Sequence, residues 1–502
     1  MNLENDFAKL GELLKTHHEW LLVHSTGKSF ALRADEIETE LKQNKILLSF
    51  LDEKGFQTWR VVFFEQKGNE ILFNLTRNFE REREKIRLVP RVSTSELTAA
   101  VELARLEKAN EIAQIIVAET RDAKPVKVAL NVENGRFAQI VFQTANGRQI
   151  AALSDVSGAN ATHENLLAFA ILWLAKLQAR KKNPIETVWI LADRKRAKNL
   201  QSLRALLRTN WQNKIEVFEI VRQTAKRQSE DENNENQSLK KLEAIALSNL
   251  WRAKTKKIAP IDNAQISRTA EEIIKAAPGK IDVVLTKHGE TLRFFGLPFA
   301  RVRKVSGAEK TWFGTENKRQ ILTENNFAEF ENIIGEMKTN RRFDAENKRH
   351  ALFRLAPEAW LEALLRQNIK LLDANLILSP VHNQFRAEGG DKIDVLALRR
   401  DGRLVIVELK TAPDREMIFQ AADYWRKIEA ERRAGNLRAA KIFGDLAIAD
   451  APALVFLAAP LLSFHRDFDF FARTVSKEIE IYRFDLNENW RENLKVVRRG
   501  RI

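Results

Sequence analysis

Residues 389–410 read GGDKIDVLALRRDGRLVIVELK, two short apolar runs on either side of an Asp-Gly pair. Runs rich in Val, Ile and Leu that flank Asp-Gly predict a β-hairpin. A three-residue turn around that pair places Asp394 directly opposite Glu408 on the neighbouring strand. Because side chains alternate along a strand, Glu408 and Lys410 share one face of the sheet. The stretch therefore predicts two carboxylates and one ammonium on a single patch of an otherwise apolar sheet.

Charges buried in such a sheet are unfavourable unless another charge compensates them. The oxygens of Asp394 and Glu408, with the backbone carbonyl of Leu409, are hard ligands of the kind that Mg²⁺ or Mn²⁺ prefers. Such an ion would lower the pKa of a bound water and act as a Lewis acid on a phosphate. Lys410 would then position the attacking water or stabilise the developing charge. The competing interpretation is a structural salt bridge between Lys410 and the two acids.

The pair Ile393-Asp394 followed by Glu408-Leu409-Lys410 resembles the motif of the PD-(D/E)XK nuclease superfamily, which includes many restriction, repair and recombination nucleases. Ile393 stands where the motif name has proline. Gln420 and Tyr424 match the Q-x-x-x-Y element of the RecB-like branch of that superfamily. The resemblance covers about residues 350–490 and extends to bacterial proteins that carry GG…IDLLAV…GRL…VELK…Q…DYW. It implies a restriction-endonuclease-like αβββαβ core.

The predicted helix after the hairpin carries Gln420, Tyr424 and Lys427 on one face, at the spacing i, i+4 and i+7. If this face borders the acidic patch, Gln420 orients a ligand and Tyr424 or Lys427 contacts phosphate. The competing interpretation is a solvated helix face. The sequence alone does not separate the two.

A glutamate from the first helix of the core often faces the metal in the resembling superfamily. Pro357 is favourable at the start of a helix, because its missing N–H needs no partner there. Glu358 and Glu362 lie one turn apart on that predicted helix. Glu362 is the better match and Glu358 the alternative, while Glu388, just before the glycines, is a third candidate acid. The competing interpretation is that both helix glutamates are ordinary surface residues.

The composition is typical of a soluble globular protein. At 502 residues, the chain is too long for one hydrophobic core. The formal net charge of +15 suits a polyanionic partner such as nucleic acid, although it also serves solubility. Cysteine is absent, which fits a reducing compartment. The polar N-terminus does not resemble a signal peptide, and no apolar run reaches the length of a membrane span. We therefore expect a cytoplasmic protein without a membrane partner.

Four segments are predicted, giving a multidomain chain of α/β and α+β type. Residues 1–95 form a small β-rich module, and residues 96–226 form an α/β domain. Residues 227–348 comprise a linker followed by a small α+β domain, the linker being the polar run Arg227 to Lys241. Residues 349–502 form the nuclease-like domain.

The α/β segment 96–226 repeats the predicted element order of the last domain, α-β-β-β-α-β. Aligning the two hairpins places Leu153 where Glu408 stands and Asp155 where Lys410 stands. No carboxylate–lysine patch remains there. We interpret the segment as a degenerate, non-catalytic copy of the same fold. The alternative is a generic α/β layer that has this order by chance.

The predicted strands of the small α+β domain mix basic residues with aromatic ones. The basic residues are Arg293, Arg301, Arg303 and Lys304, and the aromatic residues are Phe294, Phe295 and Phe299. Such interleaving is typical of a nucleic-acid surface. Phenylalanine at strand spacing is, however, more often part of a hydrophobic core, which is the interpretation that we favour.

These observations favour a metal-dependent nuclease that hydrolyses phosphodiester bonds of DNA, in repair, recombination or defence, with Mg²⁺ or Mn²⁺ as cofactor. RNA is an alternative substrate. The alternative function is a catalytically silent nucleic-acid-binding or scaffold protein that retains the nuclease fold. A homodimer and a helicase or ATPase partner are both compatible with the sequence, which has no Walker A motif of its own.

Overall fold

The computed structural model divides into two compact units, residues 1–204 with 210–244, and residues 205–209 with 245–502. Among the described residues, no helix combines the length and the apolar character needed to span a membrane. Short 3-10 helices cover Ala34–Glu36, Glu324–Asn326, Ile369–Leu371 and Leu461–Ser463. The structure describes residues 3–24, 29–52, 55–77, 82–91, 94–158, 161–222, 237–245, 247–251, 266–286, 289–315, 318–379 and 393–502.

The first sheet is antiparallel and has the strand order β2-β1-β7-β6-β5-β4-β3. Alternating apolar side chains from its strands and from the helix before it form one core, which includes Leu10, Trp20, Leu48 and Phe73. Its elements are α1 (Leu3–Leu14), β1 (Glu19–His24), β2 (Ser29–Arg33), β3 (Glu38–Lys42), β4 (Lys45–Asp52), β5 (Gly55–Lys67), β6 (Glu70–Arg77) and β7 (Glu82–Pro90).

The second sheet has the order β13-β12-β11-β10-β9-β8, with β10, β11 and β12 parallel and the other neighbours antiparallel. Its elements are α2 (Thr94–Glu119), β8 (Lys124–Leu130), β9 (Phe137–Gln143), β10 (Gln149–Asp155), α3 (His163–Gln178), β11 (Val188–Ala192), α4 (Arg194–Arg204), α5 (Thr209–Gln212), β12 (Ile215–Arg222) and β13 (Gln237–Lys241). Apolar residues of α2, among them Ile112 and Ile116, pack on one face against Ile140 and Ala152. The Thr162 side chain caps α3 by accepting a hydrogen bond from the Asn165 N–H at 3.1 Å.

The structure corrects one boundary prediction. Residues Gln237–Lys241, predicted as the end of a linker, form the edge strand β13 and pair antiparallel with β12. Residues 227–236 of the predicted linker lie outside the described residues. An edge strand has only one neighbour, so it forms with few apolar side chains and leaves little periodic signal in a sequence.

The third sheet is an antiparallel series in chain order. Its elements are α6 (Leu247–Leu250), α7 (Arg268–Lys275), β14 (Ile281–Thr286), β15 (Gly289–Phe294), β16 (Leu297–Val305), β17 (Ala308–Thr315), β18 (Lys318–Ile321) and α8 (Phe327–Asn340). Helices α7 and α8 cover one face, where Ile273 and Phe330 pack on Phe294 and Phe299. The core interpretation of these two phenylalanines is therefore confirmed.

The fourth sheet has the order β19-β20-β21-β22-β23-β24 and places β21, β22 and β23 parallel. Its elements are α9 (Ala351–Arg354), α10 (Pro357–Gln367), β19 (Leu376–Leu378), β20 (Val395–Arg399), β21 (Leu404–Leu409), α11 (Met417–Arg433), α12 (Asn436–Ala439), β22 (Leu454–Pro460), α13 (Phe468–Ala472), β23 (Ile481–Leu486) and β24 (Val496–Arg501). Trp360 and Leu361 of α10 pack on Val405 and Val407, so α10 covers one face of the sheet. Helix α11 packs on β21 and β22.

Candidate active site

The β20–β21 hairpin has the predicted register. Val395 pairs with Val407 and Leu398 with Leu404. Asp394, the residue before β20, therefore lies level with Glu408. The turn needs Gly402, whose φ is +82° and whose position leaves no room for a side chain, since a Cβ there would lie 3.0 Å from the backbone of the 447–449 segment.

Asp394 is fixed beside the end of β21 by its own carboxylate. Its Oδ2 accepts a hydrogen bond from the Leu409 N–H at 2.9 Å. Its backbone carbonyl accepts one from Arg366 Nη2 at 3.2 Å, which ties the start of β20 to α10. The hairpin thus brings one carboxylate next to the backbone of the Glu408-Leu409-Lys410 run.

Glu408 and Lys410 are both buried and lie on one face of β21. Lys410 Nζ donates to Glu408 Oε1 at 3.1 Å and lies 3.3 Å from Asp414 Oδ2. The second carboxylate oxygen, Glu408 Oε2, is buried, and within the described part of the chain it has no hydrogen-bond partner. A buried acceptor without a donor is costly, which marks this oxygen as a point where a cation would be stabilised.

Carboxylates predominate among the charged groups around Glu408 and Lys410. Burial raises the pKa of Glu408 well above its ordinary value, and the charges of Asp394 and Glu358 raise this pKa further, against the opposite effect of Lys410. Burial works against the charge of Lys410, but Glu408, Asp414 and Glu358 outweigh it and raise the pKa of this ammonium above its ordinary value. The surrounding acids thus favour the charged form of Lys410.

Gln420 and its two predicted companions lie on α11. The side-chain oxygen of Gln420, Oε1, is buried and lacks a hydrogen-bond partner among the described residues. Lys427 Nζ lies 2.7 Å from Asp423 Oδ2 and 5.7 Å from the centroid of the Tyr424 ring. Tyr424 and Lys427 are thus neighbours, and Asp423 compensates the charge of Lys427.

The two glutamates of α10 have different surroundings. Glu362 is fully buried, with Oε1 at 2.9 Å from Arg366 Nε and 3.3 Å from Arg293 Nη1. Glu358, in the first turn of α10, is half-buried, and its charge acts on both Glu408 and Lys410. The charge of Glu358 thus acts on the patch, whereas two arginines hold Glu362. The third candidate, Glu388, lies outside the described residues.

Asp414 belongs to the patch and was missed from the sequence. It follows Lys410 by four residues, and it also accepts a hydrogen bond from the Glu416 N–H at 2.6 Å. The only available signal was an acid closely following the motif lysine, in the segment before α11. Its position beside Lys410 depends on the course of that segment, which has no periodic pattern.

Arg341 is a second residue that the sequence did not reveal, because it sits in a polar run after α8. It is fully buried, lies 4.8 Å from the Trp360 ring centroid, and has a pKa lowered by burial to about 10. Two of its acceptors, Phe295 and Ala356, have left-handed backbone conformations, with φ of +42° and +45°. The guanidinium thus fixes the segment that starts α10 and presents Glu358. It donates hydrogen bonds to the carbonyls of Phe294, Phe295, Leu352, Leu355 and Ala356.

Comparison with known proteins adds little to this geometry. No family model matches the chain, and no curated protein matches it. One solved structure, of EndoMS in its apo form, is similar at 11% identity over 39% of this chain and 89% of the other, with a TM-score of 0.14. A score this low carries no argument about fold or function.

Proposed function

We propose that the chain is a metal-dependent nuclease that hydrolyses phosphodiester bonds of DNA, with its active site on the β20–β21 hairpin of a restriction-endonuclease-like core. The observation that carries the proposal is the state of Glu408. Its carboxylate is buried, lacks a donor on Oε2 within the described structure, and faces a second carboxylate and a charged lysine. A purely structural sheet has no reason to keep an acid in that state.

The donor set fits a hard divalent cation. Asp394, Glu408 and the carbonyl of Leu409 would hold Mg²⁺ or Mn²⁺, which prefer oxygen ligands and retain several waters. When bound, the ion supplies a more acidic water and Lewis-acid stabilisation of the phosphate. The Asp394 carboxylate is already oriented for such a role, since the Leu409 N–H holds its Oδ2 at 2.9 Å.

Lys410 has the role of a fixed positive charge. Neighbouring carboxylates raise its pKa, which favours the charged form of this lysine. Its three N–H donors can hold the attacking water and stabilise the charge that develops on the phosphate. The role that we assign to Lys410 is therefore electrostatic stabilisation.

Glu358 and Gln420 complete the proposed site. Glu358 adds negative charge near Glu408 and so favours a cation there. The buried oxygen of Gln420, which has no hydrogen-bond partner within the described structure, can accept a hydrogen bond from a metal-bound water or a ligand. In this scheme Glu358 replaces Glu362, because two arginines already compensate Glu362.

A second candidate function is a nucleic-acid-binding or scaffold protein that retains the fold without turnover. The 3.1 Å ion pair between Lys410 and Glu408 favours it, since each charge partly compensates the other without a metal. The two functions differ in a measurable way. A scaffold binds DNA with or without Mg²⁺ and cuts no substrate.

The test is a cleavage panel with Mg²⁺ and with Mn²⁺, using linear, circular, single-stranded, flapped and mismatched DNA, with RNA included. Glu408→Gln, Asp394→Asn and Lys410→Met should each lower cleavage about 10³-fold or more, a loss of about 4 kcal/mol of transition-state stabilisation. Binding measured in EDTA should change little. The control is Glu478→Gln, an exposed carboxylate of the same unit, which should cut normally.

Unchanged cleavage in the Glu408→Gln protein would exclude this site. Binding without cleavage by the unmodified protein, across the whole panel and both metals, would establish the scaffold function instead.

A further inference from the structure

The third sheet has one face that helices cover and an opposite face that is rich in basic side chains. Val302 and Phe313 point into the core under α7 and α8, so their strand neighbours point the other way. Arg301 pairs with Trp312, and Trp312 pairs with Ile321 on β18. This second face also carries Arg293 with its partner Asp282. Six other side chains of the face, which together we call the outer face, are Arg301, Arg303, Lys310, Trp312, Arg319 and Ile321.

Among the residues that the structure describes, the cations of the outer face have no acidic partner. In the part of the chain that the structure describes, Arg301, Arg303, Lys310 and Arg319 form no ion pair, and the buried Nε of Arg303 has no hydrogen-bond partner. Arg303 also pairs directly with Lys310, a like-charge arrangement that is unfavourable across two strands. Burial, then the charges of Arg319 and Arg303, lower the pKa of Arg301. Bound anions would relieve this repulsion.

An aromatic side chain lies in the middle of these cations. Trp312 is half-buried, and the Arg303 guanidinium lies 5.8 Å from its ring centroid. Single-stranded nucleic acids bind to surfaces where arginines contact the backbone and aromatic rings stack on bases. A duplex keeps its bases stacked internally and offers a tryptophan on a flat sheet no free base. The composition of the outer face therefore favours a single strand over a duplex.

The same sheet leads to the candidate active site. Arg293 of β15 pairs with Asp282 and, at 3.3 Å, with Glu362 of α10. The turn after β15 approaches α10 so closely that a Cβ on Gly296 would lie 2.0 Å from the Ala359 carbonyl. Glu358 is in the first turn of this helix. One end of the sheet thus contacts the helix that carries an acid of the site.

We propose that the outer face binds a single-stranded segment of nucleic acid, with Arg301, Arg303 and Arg319 on phosphates and Trp312 stacked on a base. The inference rests on the proposed nuclease function and specifies its substrate class as one that exposes single strand next to the cleavage position. The face is a binding surface and takes no part in the chemistry.

The test measures binding of a labelled oligothymidylate by the full chain in EDTA, so that no cleavage occurs, over a range of salt concentrations. Arg301→Ala and Arg319→Ala should each weaken binding and lower the slope of log K against log salt by about 0.7, the value for one single-strand phosphate contact. Trp312→Ala should weaken binding about 10-fold, and Trp312→Phe should retain most of the affinity.

Lys304→Ala is the matched control. Lys304 lies on the same strand as Arg301 and Arg303 but on the opposite face, beside Glu309. It should bind with the affinity and salt slope of the unmodified protein. Thermal melts of all variants verify that they are folded; Arg319 is exposed, so its removal should not affect melting.

Three outcomes would overturn the inference: an unchanged salt slope in both arginine variants, an equal loss in Lys304→Ala, or tighter binding of a matched duplex with Trp312→Ala unaffected. Failure of this inference and failure of the nuclease function are distinct. If the outer face is not used, the arginine variants bind normally while metal-dependent cleavage persists. If the chain is not a nuclease, cleavage is absent while the arginine variants still lose binding.

Discussion

The second and fourth sheets share the same architecture but differ in the chemistry of one hairpin. Both have an edge strand, two antiparallel neighbours, two parallel strands and a final antiparallel edge strand, in the same spatial order. The hairpins turn in the same way: Gly147 donates to the Thr144 carbonyl and Gly402 to the Arg399 carbonyl, each at 2.8 Å. Both glycines have left-handed φ, +78° and +82°.

The shared hairpin makes the site residues comparable position by position. Gln139 pairs with Leu153 in the second sheet, where Asp394 lies level with Glu408 in the fourth. Leu153 is fully buried, so an apolar side chain fills the position of Glu408. These positions correspond in strand register but carry opposite kinds of side chain, so this strand pairing does not need the acids.

Asp155 stands at the position of Lys410 and is a satisfied carboxylate. Burial opposes its charge, but hydrogen bonds from Ser157 and Ala161 and the charge of Arg196 lower its pKa. Glu408 has the opposite pKa shift, because burial raises its pKa and the charges of Asp394 and Glu358 raise it further. One sheet uses an acid to stabilise a loop, whereas the other keeps an acid that is destabilised until something positive binds. This difference supports the interpretation of the second sheet as a non-catalytic copy.

The largest expected effect comes from exchanging the two residues. Leu153→Glu places a carboxylate without Asp394 or Lys410 equivalents in a core and should lower the free energy of unfolding by about 3–5 kcal/mol. Glu408→Leu should abolish cleavage and raise stability by about 1–3 kcal/mol, since a buried charge is replaced by an apolar side chain of similar volume. Denaturant titrations of both variants measure the difference. Loss of stability in Glu408→Leu would mean that Glu408 is a structural residue like Asp155.

The next prediction separates the two glutamates of α10. Glu362→Gln removes a buried charge that two arginines compensate and should lower stability by about 3 kcal/mol. Glu358→Gln should leave the unfolding midpoint nearly unchanged and lower cleavage about 10- to 100-fold. The unfolding midpoint and the cleavage rate of both variants check these two predictions. If Glu358→Gln cut normally, the first helix would contribute no acid to the site.

A smaller effect is expected at Asp155. Asp155→Asn weakens the hydrogen bonds to Ser157 and Ala161 and the ion pair with Arg196, which should cost about 2 kcal/mol of stability. Cleavage per folded molecule should remain within about twofold. A loss of cleavage comparable to that of Asp394→Asn would show that the copy takes part in the reaction.

The last prediction concerns pH. Because the pKa of Glu408 is raised in the folded state, the folded protein retains a proton that the unfolded chain releases above about pH 4.5. The free energy of unfolding should therefore fall as pH rises from there through the folded pKa, by at most about 1.4 kcal/mol per unit. Glu408→Gln lacks this contribution. Urea titrations from pH 5 to 8 should show the two proteins diverging, and parallel curves would contradict the pKa shift.

Much of the site was readable from local sequence. The Asp-Gly turn and the alternation on either side of it fixed the register that brings Asp394 level with Glu408, since both depend on neighbouring residues alone. The choice between Glu358 and Glu362 was not readable, because residues four apart share one face of a helix. The surroundings of the two acids differ because of Arg293, which donates to Glu362 and is 69 residues from it in the chain. Arg341 was missed for the same reason, since its acceptors are distant backbone carbonyls.

The third sheet shows the same limit of prediction from the sequence. The sequence did not show which of its basic and aromatic residues form a core and which form a nucleic-acid surface. The alternation of side chains assigns residues to faces only when the bounds of each strand are known. Once β16 is placed, Phe299 falls in the core and Arg301 on the outer face. The core interpretation is confirmed for the phenylalanines, and the nucleic-acid surface stays a prediction for the opposite side of the sheet.

Anomalous diffraction from crystals of the full chain soaked in Mn²⁺ tests the central claim most directly. We expect an anomalous peak between the carboxylates of Asp394 and Glu408 and near the Leu409 carbonyl, at about 2.1 Å from its oxygen ligands, and we expect no peak at the Gln139–Leu153 position of the second sheet. A well-soaked crystal without a peak at the hairpin, or with a peak whose oxygen ligands come from other residues, would contradict the account.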